Sequence, residues 1–167
     1  MAKQTMNQDE LRNYFTSRNL TMKRLGELIN QSDTAMSNAL NHFKVNGKPL
    51  YFSIEKLQRI NEALPIMADE IEARLLKFDE ERSAKEGNNR YDPGCIEQLR
   101  RVGDYFNVKG LTYRVLEWSQ PKCNAFFSQN NPGRGHIKRH EVTAINTELL
   151  AIAGVLRGTE VVPMNVE

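Results

Sequence analysis

The stretch LTMKRLGELINQSDTAMSNALN, residues 20–41, decides how the whole chain is read. Leu20, Leu25, Leu28 and Ile29 continue a spacing of three to five residues begun by Leu11 and Phe15, which suits packed helix faces. Thr21 is expected to cap a helix running from Met22 to Ile29, and Ser32 a second running from Asp33 to about Asn41. Asn30 and Gln31 leave only a very short turn between them. Helices joined so tightly cross steeply and need a small residue on the first helix, which Gly26 supplies despite its cost in helix propensity. Leu25, Ile29 and Met36 then face inward, while Ser32, Asp33, Thr34, Ser37, Asn38 and Asn41 face outward.

Downstream, residues 42–50 read as a loop containing Gly47 and Pro49, and Ser53 caps a helix with Ile54, Leu57, Ile60 and Leu64 on one face. Pro65 is expected in the first turn of a further helix with Ile66, Ile71, Leu75 and Leu76 as its buried stripe, Phe78 beyond, and acids from Asp69 to Glu81 on the wet face. SAKEGNNRYDPG, residues 83–94, loses periodicity and reads as a linker. The pattern then restarts. A shift of 91 residues matches Leu20-Thr21 to Leu111-Thr112, Lys23 to Arg114, Leu25 to Leu116 and Ser37 to Ser128, and places Asn124 and Gln129 at the positions of Asp33 and Asn38. A diverged duplication accounts for this, with bland similarity between helical segments as the alternative.

The outward set on 33–41 is short, polar and rich in donors and acceptors. Such a surface suits a major groove, where Asn can contact adenine bidentately and Ser or Thr can reach bases or phosphates. Through Thr21, Leu25-Gly26, Ile29, Ser32, Met36 and Ser37, residues 11–64 resemble the helix-turn-helix domains of phage-repressor/Cro-like transcriptional regulators. The resemblance implies a lambda-repressor-like bundle of about five helices, with 21–29 supporting and 33–41 reading bases. Asn30 stands in place of the usual turn glycine and tolerates a left-handed conformation. Gln31 stands where an apolar residue is usual, and Asp33 would either read a cytosine amino group or favour the helix N-terminus. The second half resembles the class less closely. Glu117 falls at the small-residue position, Pro121 in the turn, and Phe126 and Phe127 enlarge the second helix. Either that copy crosses its helices differently, or it serves packing or dimerisation.

Charge is distributed in blocks. Lys and Arg number nine against five acids over 1–60, three against seven over 61–83, ten against five over 84–140 and one against four over 141–167, within a net formal charge of +2. Lys23, Arg24, Lys44 and Lys48 lie where the resembled class contacts phosphate, and Arg114, Lys122, Arg134, Lys138 and Arg139 hold comparable places in the second half. The composition, 40% hydrophobic and 26% charged, is that of a globular protein, and no stretch approaches the roughly 20 apolar residues of a membrane span. His136 and His140 are four apart but lack further ligands, and no phosphate loop, nucleophile elbow or metalloprotease motif occurs.

The sequence therefore predicts an all-α chain of two tandem lambda-repressor-like bundles, residues 1–82 and 95–167, with a flexible tail from about 158. It predicts a cytoplasmic, non-enzymatic, sequence-specific regulator of transcription that binds double-stranded DNA and needs no cofactor or metal. The expected contacts are Thr21, Lys23, Arg24, Ser32, Asp33, Thr34, Ser37, Asn38, Asn41, Lys44, Lys48, Arg114, Lys122, Asn124, Ser128 and Gln129. A homodimer is the expected route to two half-sites if the second copy does not bind. The competing class is a protein-interaction module that keeps this fold without reading DNA.

Overall fold

Asn7 opens the first helix, α1 (Gln8–Ser17), through a reciprocal box: its side chain accepts from the Glu10 amide at 2.9 Å, and its own amide donates to Glu10 Oε1 at 3.3 Å. The computed structural model describes residues 3–32, 36, 44–45, 48–49, 51–78, 93–127 and 137–164. After α1, Asn19 adopts φ 62° and the Leu20 amide reaches back to the Phe15 carbonyl at 2.9 Å, so a left-handed residue closes the helix. Helix α2 (Lys23–Leu28) follows. Its cap is Met22, with no side-chain bond, rather than the expected Thr21.

Helix α3 (Ile54–Glu72) begins as predicted at Ser53, whose Oγ accepts from the Lys56 amide at 3.1 Å. It does not restart at Pro65. Proline removes one backbone donor but the apolar phase is unbroken, with Leu57, Ile60, Leu64, Met67 and Ile71 all buried. That single phase turns Ile66 outward, 47% exposed, contrary to its expected place in the stripe. Leu75, Leu76 and Phe78 lie beyond the helix, in a segment held by amide side chains. Asn146 bonds both the amide and the carbonyl of Leu76 at 2.8 Å, and Gln98 bonds both backbone groups of Lys77.

Four further helices are described: α4 (Pro93–Val102), α5 (Val108–Leu116), α6 (Gln120–Phe127) and α7 (Arg139–Arg157). Most of the described chain is helical. Pro93 and Gly94, expected at the end of a linker, form the first turn of α4, where proline's missing donor costs nothing. The rest of that linker, 83–92, lies outside the described residues. Two short strand pairs complete the described elements. β2 (Lys44–Val45) and β3 (Lys48–Pro49) pair antiparallel within the expected loop, and β1 (Gln4–Met6) pairs in parallel with β4 (Thr159–Val161).

The chain forms two compact units, residues 1–70 with 152–167 and residues 71–151, rather than halves divided at 83–94. The first has Leu11, Phe15, Leu25, Ile29, Met36, Ile60, Leu64 and Met67 at its centre, all at most 2% exposed. The second buries Leu99, Tyr105, Leu111, Phe126, Ile145 and Leu149.

Within the segment from about 158, expected to be flexible, residues 159–161 form strand β4. Gln4 donates to the Gly158 carbonyl at 2.7 Å and Val162 to the Met6 carbonyl at 2.8 Å. Asn61 then fastens its other edge, donating to the Val161 carbonyl at 3.0 Å and accepting from the Val161 amide at 2.6 Å. Replacing Asn61 by alanine removes both bonds and is expected to cost about 1–3 kcal/mol, with faster hydrogen exchange at the Val161 amide. Unchanged exchange there would show that the strand does not depend on this side chain.

Candidate nucleic-acid interface

The turn after α2 is built as the sequence predicted. Asn30 takes φ 59°, its amide reaches the Glu27 carbonyl at 3.3 Å, and the Gln31 amide reaches the Gly26 carbonyl at 2.8 Å, which closes a Schellman turn. Ser32 starts the next turn by accepting from the Met36 amide at 3.0 Å, and Met36 is helical and fully buried. A Cβ on Gly26 would stand 2.9 Å from the Gln31 carbonyl oxygen and 3.2 Å from Met36 Cγ. The predicted close approach at Gly26 is therefore present.

The expected contacts are not equally available. Lys23 is exposed and holds no side-chain partner among the described residues, Ser32 is exposed, and Thr21 is half-buried. Arg24 is committed internally: it forks onto Glu70 through Nε (2.8 Å) and Nη2 (2.7 Å), while Nη1 meets Glu27 at 3.0 Å. Hydrogen bonding to Glu70, then to Glu27, raises its pKa above the usual arginine value. Glu70 was not legible in the sequence as a partner, because 46 residues separate it from Arg24. Lys44 and Lys48 fall on β2 and β3. Asp33, Thr34, Ser37, Asn38, Asn41, Ser128, Gln129 and His136 lie outside the described residues.

The second half shares two features of this turn, in a register different from the expected 91. Glu117 takes φ 56° where Asn30 takes 59°, and Ser119 accepts from the Cys123 amide at 3.0 Å as Ser32 does from Met36. Asn30 to Glu117, Ser32 to Ser119 and Met36 to Cys123 are each 87 residues, and the starts of α3 and α7 are 85 apart. The slip arises because Asn107, not Thr112, caps α5, accepting from the Gly110 amide at 3.2 Å. Thr112 is buried in mid-helix, with its hydroxyl on the Lys109 carbonyl (3.0 Å) and 3.4 Å from Cys123 Sγ. Glu117 is thus the left-handed cap rather than the residue at the crossing, which is Thr112.

In this half Arg114 is paired with Glu148 at 3.0 Å, Lys122 Nζ lies 4.6 Å from the centre of the Trp118 ring, and Asn124 is exposed and accepts from Lys109 Nζ at 3.4 Å. Trp118 donates to Glu141 Oε2 at 2.5 Å, while Glu141 Oε1 accepts from the Lys138 amide at 2.8 Å. Phe126 is fully buried, edge-on to Trp118 at 4.9 Å and to Phe127 at 5.0 Å, so it is core.

Neither a family model, nor a curated protein, nor a solved structure matches this chain. Among the described residues no helix is long and apolar enough to cross a membrane, and no three His, Cys, Asp or Glu side chains are grouped to hold a metal ion. His140 is exposed at the start of α7.

Proposed function

We propose that this chain is a sequence-specific, double-stranded-DNA-binding regulator of transcription built from two lambda-repressor-like helix-turn-helix bundles in tandem, with residues 33–41 entering the major groove. The observation that carries the reading is the closure of residues 26–36. A left-handed Asn30, a Schellman bond from Gln31 and a glycine against buried Met36 make the tight turn that a helix-turn-helix needs directly before residues 33–41. A left-handed residue two before a serine whose carbonyl accepts from the amide four residues on recurs at Glu117 to Cys123, which supports duplication. Asn38 and Ser37 are assigned the base-edge chemistry, and Lys23 supplies an exposed cation on α2.

Anisotropy titration of the full chain against a labelled random-sequence duplex at rising salt tests the class. Affinity is expected to fall linearly on a log–log plot with a slope of about −0.9 per neutralised phosphate. Ser37→Ala with Asn38→Ala is then expected to erase discrimination among duplexes recovered from a random pool while leaving non-specific binding in place. No binding at low salt removes the reading. A protein-interaction module is favoured by one feature, the pairing of Arg24 with Glu70 and Glu27, which withdraws a cation from the supporting helix.

A further inference from the structure

A cleft of about 220 Å³ opens within the second unit, between the segment that leaves α3 and the last two turns of α4. Ala73, Arg74, Leu75 and Lys77 line one wall, and Gln98 and Arg101 the other. Half of these side chains are cationic, and among the described residues no carboxylate lines the cleft. Both walls are pinned. Gln98 bonds the amide and the carbonyl of Lys77 at 2.7 and 3.1 Å, and Arg74 Nη1 reaches across to the Arg101 carbonyl at 2.7 Å. Arg74 is held further by Asp104 and by buried Tyr105, whose ring centre lies 4.9 Å from its Cζ. Among the described residues these bonds use Nη1 alone, so the edge formed by Nε and Nη2, a fork that matches an oxyanion, carries none. Arg101 is exposed, and its side chain holds no partner among the described residues.

Cations in the last turn of a helix are stabilising by themselves, which accounts for Arg100 and Arg101 at the end of α4. It does not account for Arg74 and Lys77, which come from another segment and line the same cleft. Arg100 is moreover paired with Glu97, whereas Arg101 is not paired among the described residues. The volume is below the roughly 300–1,000 Å³ of pockets that enclose a drug-sized ligand, so the cleft suits a charged group rather than a whole molecule. We infer that this cleft binds a phosphate group, with Arg74 forking onto it through Nε and Nη2 and Arg101 and Lys77 meeting it from the two walls. A phosphate monoester brings a charge of about −1.5 to −2 and three strong acceptor oxygens, which cations from two walls satisfy together. The group is carried either by a small phosphorylated molecule or by a nucleic-acid backbone. The site lies outside residues 20–41 and does not require the DNA-binding reading above.

The isotope-labelled, full-length protein is titrated with inorganic phosphate at fixed ionic strength and followed by amide NMR shifts, in parent, Arg101→Gln and Arg12→Gln. The amides of Lys77, Gln98 and Arg101 are expected to follow one saturating curve. Arg101→Gln should raise its midpoint about 10-fold, the loss of one hydrogen bond to a charged group, and Arg101→Lys should recover part of the affinity. Arg12→Gln, which removes an exposed cation of α1 in the first unit, should leave the midpoint in place. Because the Arg101 side chain is exposed, the variant is expected to keep the parent circular dichroism and melting temperature. A labelled random-sequence duplex, titrated in phosphate-free buffer at rising salt, separates the two sources. An unchanged salt slope in Arg101→Gln assigns the saturable site to a small phosphorylated molecule, and a slope shallower by about one assigns it to a backbone phosphate. Shifts that drift without saturating, together with an unchanged slope, overturn the site, as does a phosphate midpoint that Arg101→Gln does not move. A parent that saturates with phosphate but binds no duplex removes the DNA-binding reading and leaves this site standing.

Discussion

Replacing Gly26 by valine is expected to destabilise the first unit by about 2–3 kcal/mol, the range of an overpacked, well-ordered contact. The added Cβ would stand 2.9 Å from the Gln31 carbonyl oxygen, which is backbone and cannot swing aside. That backbone is also pinned by the 2.8 Å bond from the Gln31 amide to the Gly26 carbonyl. On the other side, Met36 Cγ at 3.2 Å belongs to a side chain with no exposed surface into which to retreat. Helix propensity works the other way, since glycine is the poorer helix former by up to about 1 kcal/mol. Gly154 separates the two effects. A Cβ there meets nothing within 4 Å, so Gly154→Ala should stabilise by about 0.5–1 kcal/mol. Urea unfolding followed by circular dichroism checks both. Equal midpoints for parent and Gly26→Val would mean that the crossing of α2 with the Met36 segment is looser than described.

Phe126→Ala should cost more, about 3–5 kcal/mol, because it empties a fully buried aromatic site. The ring lies edge-on to Trp118 and to Phe127, so its loss leaves a cavity against both. Tryptophan emission then offers a local reading of the damage. With Phe126 gone, Trp118 should shift toward the red and become accessible to iodide before the first unit unfolds. A small loss of stability with unshifted emission would mean that the second unit closes around the gap.

What the sequence made legible follows from the range of each interaction. The turn at Asn30 could be foreseen because a left-handed residue after a helix is a local demand that Asn meets. Gly26 could be foreseen because a glycine inside an apolar helical pattern implies a close neighbour. Thr21 and Thr112 misled because a threonine before an apolar run resembles a cap, whereas Met22 and Asn107 hold those positions. Matching the two threonines set the repeat at 91 instead of 85 to 87. Arg24 with Glu70, Trp118 with Glu141, and Asn61 with Val161 are 46, 23 and 100 residues apart, and no periodicity announces such pairs. Strand β4 was missed for the same reason. Three residues carry little alternation, and their partners lie at the opposite end of the chain.

That parallel pairing has a mechanical consequence. The chain enters β1 from one end of the ladder and leaves β4 at the other, so tension applied through the two termini slides the strands along each other. All the bonds between them, with the Asn61 clasp beside them, must then yield together rather than unzip one at a time. Stretched between two anchors, such as a leader sequence and a fused partner, the first unit is protected at the very point where force enters.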